Sequence, residues 1–342
     1  MKTRNIVISA LVTLLLIFSA CREITVTTKI NRDGTFTRTI TVTGDSSEVN
    51  KGNLPFPVDG TWEKKSFRDI ADSTKHIVTY TKTFRNSDDL NAELKNDTSW
   101  YHNLKREISV KKRFGFFYSY LSFHEIYKSM NPFTFADYRD YLTEDDVEWF
   151  IGLKVPVTPA DSVTKKAVED KVDKFFAESV TAEIEGIMRD GIKRLNNPAL
   201  DTSVLSVYRD SIAMAVENSN FKSGEQLIDT IGERTGNKTW SLLNDLQPPI
   251  FAGFDKKMEL LDTLFSIEGY TEVVEMPGLI TGTNSPMLKG NQVSWEFSNE
   301  SILLRDYELY AESRVINYWA FILTGAVVLL LVILLAVKAF RK

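Results

Sequence analysis

Apolar and polar residues alternate with a period of two near both ends of the chain body, and this pattern predicts β-strands there. Residues 24–44 are the clearest case, because two alternating runs flank the turn sequence NRDG. Alternation returns after residue 269, in the stretches YTEVVE, NQVSWEFS and RDYELYAES. We therefore predict a β-rich extracytoplasmic domain made of residues 21–128 and 268–316.

Between these two regions, apolar residues recur at the spacing of an α-helix. The longest pattern runs from about Ser162 to Asn196, and shorter amphipathic patterns follow it. We predict a helical insertion subdomain over residues 129–267. The fold class is then α+β, in which N- and C-terminal strands form an antiparallel sheet and a large helical insertion interrupts them.

A wholly apolar run follows the last predicted strand. Residues 318–337 carry no charge, which is long enough for a helix to cross the hydrocarbon core of a membrane. Tyr318 and Trp319 stand where interfacial aromatic residues are expected, and Lys338 follows the run. A buried core helix is the alternative interpretation. We predict one transmembrane helix over residues 318–337 and a cytoplasmic tail over residues 338–342.

The N-terminus carries a second, shorter apolar run. Basic residues precede it, and Ser19 and Ala20 lead directly into Cys21, the single cysteine of the chain. This pattern predicts a lipoprotein-type signal peptide over residues 1–20, with acylation, for example by palmitate, at Cys21. Phe18 stands where such signals usually have leucine, and an uncleaved signal anchor is the alternative interpretation.

Composition and motifs narrow the possible functions. The net charge of −5 argues against a nucleic-acid partner, and a single cysteine excludes an internal disulfide bond. The three histidines lack metal-ligand spacing, and the chain has neither a nucleophile elbow nor a P-loop. We therefore expect no enzyme activity, no cofactor and no metal site.

One predicted strand is unusually rich in aromatic residues on both of its faces. The stretch GFFYSYLSF suggests the lining of a cavity for an acyl chain, because aliphatic and aromatic walls suit such a ligand. The tentative ligand-binding residues are Phe117, Tyr118, Tyr120, Leu121 and Phe123. The alternative is a strand that is simply packed on both sides.

The two ends of the body are CREITVTTKINRDGTFTRTITV and MPGLITGTNSPMLKGNQVSWEF. They resemble LppM-like bacterial lipoproteins, which have a lipidated cysteine, an early hairpin with an Asp-Gly turn and one C-terminal span. The matching positions are Cys21, Asp33, Gly34, Pro277, Gly278, Asn284, Gly290, Asn291, Val293 and Trp295. The resemblance implies an α+β envelope domain and a role in binding membrane lipids. The long helical stretch of this chain departs from the family pattern.

These patterns together predict a membrane-tethered, non-enzymatic lipoprotein that binds an envelope lipid or another envelope component. The alternative is a protein-interaction or scaffold module of the cell envelope that acts through the helical insertion. The membrane partners would be acylated Cys21 and the transmembrane helix. The expected location is the bacterial inner membrane, crossed once, with the body outside the cytoplasm and the C-terminus inside.

Overall fold

The fold is described from a computed structural model that covers residues 22–49, 54–70, 72–97, 103–218, 224–265 and 269–340. The predicted signal peptide and Cys21 lie outside the described residues. The chain divides into two compact units. A β-rich unit comprises Met1–Tyr127, Glu268–Phe297 and Glu308–Lys342, and a helical unit comprises Lys128–Ile267 and Ser298–Tyr307. The prediction assigned residues 298–307 to the β-rich part, whereas the structure places them in the helical unit.

The predicted α+β class is confirmed, with strands near both ends of the chain and helices between them. The strands are β1 (Glu23–Ile30), β2 (Phe36–Gly44), β3 (Glu63–Arg68), β4 (His76–Phe84), β5 (Arg106–Phe114), β6 (Tyr118–Tyr127), β7 (Tyr270–Glu275), β8 (Leu279–Thr283), β9 (Met287–Lys289), β10 (Gln292–Phe297) and β11 (Tyr307–Ile316). Helix α1 (Ser87–Lys95) lies between β4 and β5 and begins at the capping residue Asn86.

The strands form two sheets where one antiparallel sheet was expected. The large sheet has the order β3-β4-β2-β1-β7-β10-β9, and the small sheet has the order β5-β6-β11-β8. N- and C-terminal strands meet in the large sheet through β1 and β7, and this pair is parallel. A parallel pair needs a long crossover connection, which the chain between these two strands supplies.

The predicted hairpin between β1 and β2 is confirmed, with Ile30 opposite Phe36. Its turn needs glycine, because Gly34 has a φ of +96°. The carboxylate of Asp33 accepts hydrogen bonds from the amide and the hydroxyl of Thr35, at 2.9 and 2.7 Å. The tip of this turn approaches β5, since a Cβ added to Gly34 would lie 3.9 Å from the Cβ of Lys112.

The helical unit contains the long helix that the sequence predicts. Its helices are α2 (Glu144–Phe150), α3 (Pro159–Leu195), α4 (Ser203–Val207), α5 (Arg209–Asn218), α6 (Gly224–Thr235) and α7 (Ala252–Phe265), with 3-10 turns at Tyr138–Asp140, Lys238–Leu243 and Asn299–Ile302. Thr143 and Thr158 cap α2 and α3 with reciprocal side-chain hydrogen bonds. The C-terminal half of α3 packs in an apolar core around Met188 and Trp240.

Helix α8 (Tyr318–Phe340) follows β11 after one residue, Asn317. Its most apolar stretch of 18 residues has a mean hydropathy of 3.1, and only 6% of that stretch is buried within the protein. The helix is therefore long and apolar enough to cross a membrane, and the other described residues leave its surface largely uncovered. Its start agrees with the predicted span, and its end lies three residues further along the chain.

Candidate functional site

The five tentative ligand-binding residues do not share one environment. Leu121 and Phe123 point between the two sheets and are fully buried. Tyr118 and Tyr120 lie on the opposite face of β6 and are half-buried, as strand alternation requires. Phe117 lies in the turn that precedes β6, and its ring is partly exposed. The structure therefore separates an inner apolar pair from an outer tyrosine pair.

The turn between β5 and β6, which we call the hairpin tip (residues 114–117), packs against the start of α8. The rings of Phe114 and Phe116 lie 6.2 and 5.4 Å from the ring of Trp319, measured between centroids. Phe117 lies 4.9 Å from Phe321. These contacts are aromatic pairs within the preferred range of separations, so they stabilise the tip against the first turn of the helix.

Asn317 holds the hairpin tip to the base of α8 through polar contacts. Its side-chain amide donates hydrogen bonds to the carbonyl oxygens of Gly115 and Phe116, at 2.7 and 3.2 Å. Its backbone amide donates to the carbonyl of Phe117 at 2.9 Å. Its side-chain oxygen accepts a hydrogen bond of 3.1 Å from the hydroxyl of Ser119. One residue therefore joins both elements at the point where the chain leaves the sheet.

Replacement of Asn317 by Ala is expected to release the hairpin tip from the helix. The change removes two hydrogen bonds to backbone carbonyls that solvent can partly reach, and each such bond contributes about 0.5–1.5 kcal/mol to local stability. We expect faster hydrogen exchange for the amides of residues 114–120 in the full chain in lipid nanodiscs. Asn244→Ala, which removes an amide bonded to Asp229 in the helical unit, serves as the control. Unchanged exchange at the tip in Asn317→Ala would contradict the assigned role.

The outer face of β6 combines tyrosines with arginines next to the helix. The guanidinium of Arg314 lies 5.0 Å from the centroid of Tyr118, and that of Arg113 lies 4.4 Å from the centroid of Tyr120. Both distances are within the range of cation–π attraction. We call Arg113, Tyr118, Tyr120 and Arg314 the outer tyrosine–arginine face. It presents aromatic surface and positive charge together, which suits a phosphate-bearing amphiphile.

A second cluster lies in the interior of the β-rich unit, between the two sheets. A guanidinium nitrogen of Arg38 on β2 lies 2.9 Å from a carboxylate oxygen of Glu125 on β6 and 2.7 Å from one of Glu272 on β7. The hydroxyl of Tyr127 donates to Glu125 at 2.9 Å and lies 2.9 Å from the hydroxyl of Tyr270. All five side chains are buried, so the cluster joins the sheets by charge as well as by packing.

Arg106 and Phe56 complete the interior cluster. The guanidiniums of Arg38 and Arg106 lie 3.9 and 3.7 Å from the centroid of the Phe56 ring, and Arg106 donates to the carbonyl of Pro55. Nε and one terminal nitrogen of each arginine have no hydrogen-bond partner among the described residues. The cluster thus contains two buried cations that are only partly compensated.

Burial and the neighbouring charges together set the protonation of this cluster. Burial raises the pKa of Glu272 to about 8, against the lowering effect of Arg38. Burial also lowers the pKa of Arg38, but Glu125 and Glu272 together outweigh that effect and its pKa is raised. Burial raises the pKa of Tyr270 as well. The arginine therefore stays charged, and Glu272 binds its proton much more tightly than a solvated glutamate.

The sequence indicates this cluster through charged residues at inward strand positions, although no sequence motif marks it. Arg38, Glu125 and Glu272 each occupy an inward position of a strand, flanked two residues away by buried apolar or aromatic residues on the same face. A charged residue in register with apolar neighbours is a candidate buried ion. No three or more His, Cys, Asp or Glu side chains in the described part of the chain are grouped to hold a metal ion.

Comparison with known proteins gives one similarity. No family model matches the chain, and no curated protein matches it. Among solved structures, it is similar to the NMR structure of the folded domain of Mycobacterium tuberculosis LppM, with a TM-score of 0.28 and 9% sequence identity. The alignment covers 87% of this chain and 91% of that one. LppM-like lipoproteins are also the family that the two ends of the sequence resemble.

Proposed function

We propose that this chain is a membrane-tethered, extracytoplasmic, non-enzymatic lipoprotein that binds an envelope lipid at the membrane surface. The attachment of the hairpin tip to α8 through Asn317 carries this proposal. It brings the outer tyrosine–arginine face next to the helix that enters the bilayer. Aromatic and basic side chains at that level match the headgroup region of a membrane.

The spacing of the two membrane anchors supports a fixed orientation of the extracytoplasmic part relative to the membrane. Cys21 stands two residues before the first residue of β1, whereas the other end of β1 leads into the turn that approaches Lys112, close to the hairpin tip. The eight residues of β1 span roughly 26 Å. An acylated Cys21 and a membrane-spanning α8 can enter one membrane together when β1 lies along its surface. In this proposal the lipid fixes orientation, because the helix alone already holds the chain.

Native mass spectrometry of the full chain, extracted from its host membrane in mild detergent, tests the proposal. We expect a stoichiometric lipid adduct in the wild type that is lost when Arg113 and Arg314 are both changed to Ser. Lys64→Ser is the matched control, because Lys64 also lies over a tyrosine ring, 5.4 Å from the centroid of Tyr80, on an exposed strand. The same spectra report whether residues 1–20 have been removed and whether Cys21 carries acyl chains.

Two outcomes would overturn lipid binding at this face. One is a wild-type chain without a lipid adduct, and the other is an adduct that survives in the Arg113→Ser, Arg314→Ser variant. Either result would favour the alternative function, in which the helical unit is a protein-interaction module. Crosslinking of the full chain in its own membrane would then be the next experiment.

A further inference from the structure

One end of the small sheet is apolar and open to solvent within the described part of the chain. β5 ends there, β6 and β8 begin there, and β11 ends there. Large apolar side chains at this end remain exposed, with Phe114 at 64% and Phe116 at 47%. The other exposed members are Phe117, Leu279, Ile316 and Trp319. A patch of this kind marks an interaction surface, because scattered single residues are the norm elsewhere.

The exposed apolar end is continuous with the apolar surface of α8. Trp319 and Phe321 lie in the first turn of the helix and contact the rings of Phe116 and Phe117. The hairpin tip is therefore level with the start of the helix, where a spanning segment passes through the headgroup region. Gly115 permits the tight turn, since a Cβ there would lie 2.6 Å from the carbonyl oxygen of Tyr118.

The side chains that directly precede the hairpin tip are basic. Lys111, Lys112 and Arg113 directly precede Phe114, and residues 111–120 include no acidic side chain. Lys111, Lys112 and Arg113 are exposed. Basic side chains next to an aromatic tip place positive charge at the level of the lipid phosphates when the tip enters the boundary between headgroups and acyl chains.

We infer that the hairpin tip inserts into the interfacial layer of the leaflet that α8 enters, as a second membrane contact beside the helix. The inference rests on the proposed membrane span of α8. It assigns the lipid bilayer itself as the partner of Phe114, Phe116 and Phe117. The small sheet is then fixed to the membrane at two adjacent points, and its outer tyrosine–arginine face stays at headgroup height.

Depth-dependent fluorescence quenching tests this insertion. Single cysteines replace Phe116, Leu329 or Ser73 in a full chain that also carries Cys21→Ser, and each is labelled with an environment-sensitive dye. Leu329 is an exposed residue in the middle of α8. Ser73 lies between β3 and β4, at the end of β2 opposite to the turn that approaches Lys112. The chains are placed in vesicles of phosphatidylcholine and phosphatidylglycerol in equal amounts, with spin labels near the headgroup or near the chain ends.

The dye at position 116 is expected to emit at shorter wavelength than the dye at position 73 and to be quenched most by the headgroup-proximal spin label. The dye at position 329 is expected to be quenched most by the chain-end label. A solvent-like spectrum without quenching at position 116, beside a quenched position 329, would overturn tip insertion and leave the span intact. Solvent-like spectra at both positions would overturn the span and the tip insertion that rests on it.

Discussion

Arg38→Ala is expected to lower the free energy of unfolding of the β-rich unit by about 3–5 kcal/mol. The guanidinium of Arg38 lies between Glu125 and Glu272, and none of the three side chains is exposed. Its removal leaves two buried carboxyl groups without the cation that both contact. Urea unfolding of the full chain in detergent micelles measures the change. Hydrogen exchange of the amides in β2 and β7 is the readout for the β-rich unit.

Two controls separate loss of charge balance from loss of packing. Lys29→Ala removes a lysine on β1 whose ion pair with Glu275 on β7, at 3.7 Å, is partly exposed, and we expect a loss below about 1 kcal/mol. A triple variant with Arg38→Met, Glu125→Leu and Glu272→Leu should recover most of the stability, because no buried charge of the triad remains. A loss in Arg38→Ala as small as that in Lys29→Ala would contradict this account.

The β-rich unit is expected to lose stability as the pH rises from about 5 to about 8. The folded protein holds a proton on Glu272 up to a pKa of about 8, whereas the unfolded chain releases it near the usual value of 4.5. The folded state therefore binds more protons across this window, and stability falls with rising pH by at most about 1.4 kcal/mol per pH unit. Below the window both states are protonated, and this contribution to the slope disappears.

Glu272→Gln should flatten the pH dependence of the β-rich unit, because the amide keeps an acceptor oxygen for Arg38 and does not titrate. Glu300→Gln is the matched control, since burial also raises the pKa of Glu300 but this residue belongs to the helical unit. Exchange of β2 and β7 amides, corrected for the pH dependence of intrinsic exchange, reports the β-rich unit alone. An unchanged slope in Glu272→Gln would contradict the assignment of the proton to this residue.

Local sequence patterns predicted the elements of the fold well. The β1–β2 hairpin, the long helix α3 and the apolar helix α8 each depend on residues that are close in sequence. Pairing over long distances was harder to predict. Nothing in the alternation of β1 specifies β7 as its neighbour, because any strand with one apolar face satisfies the same pattern. The division into two sheets therefore emerged only from the structure.

The candidate sites show the same limit. The aromatic residues of the hairpin tip stood out in the sequence, but Asn317 did not, because its partner Gly115 is 202 residues away. Asparagine next to an apolar run is common and carries no motif. Arg38, Glu125 and Glu272 were overlooked because charged residues in strands usually face solvent. The alternation of each strand shows that these three side chains point inward. Their meeting in one cluster depends on how the two sheets face each other, which the alternation does not specify.

The parallel pairing of β1 with β7 also sets an order of events during synthesis. Thr25–Lys29 of β1 pair with Thr271–Glu275 of β7, so that edge of β1 has no partner until the chain has emerged beyond residue 275. β2 to β4 can assemble on the other edge much earlier, since they follow directly in sequence. An open strand edge is a template for wrong pairing. That edge of β1 therefore stays open while the whole helical unit is synthesised.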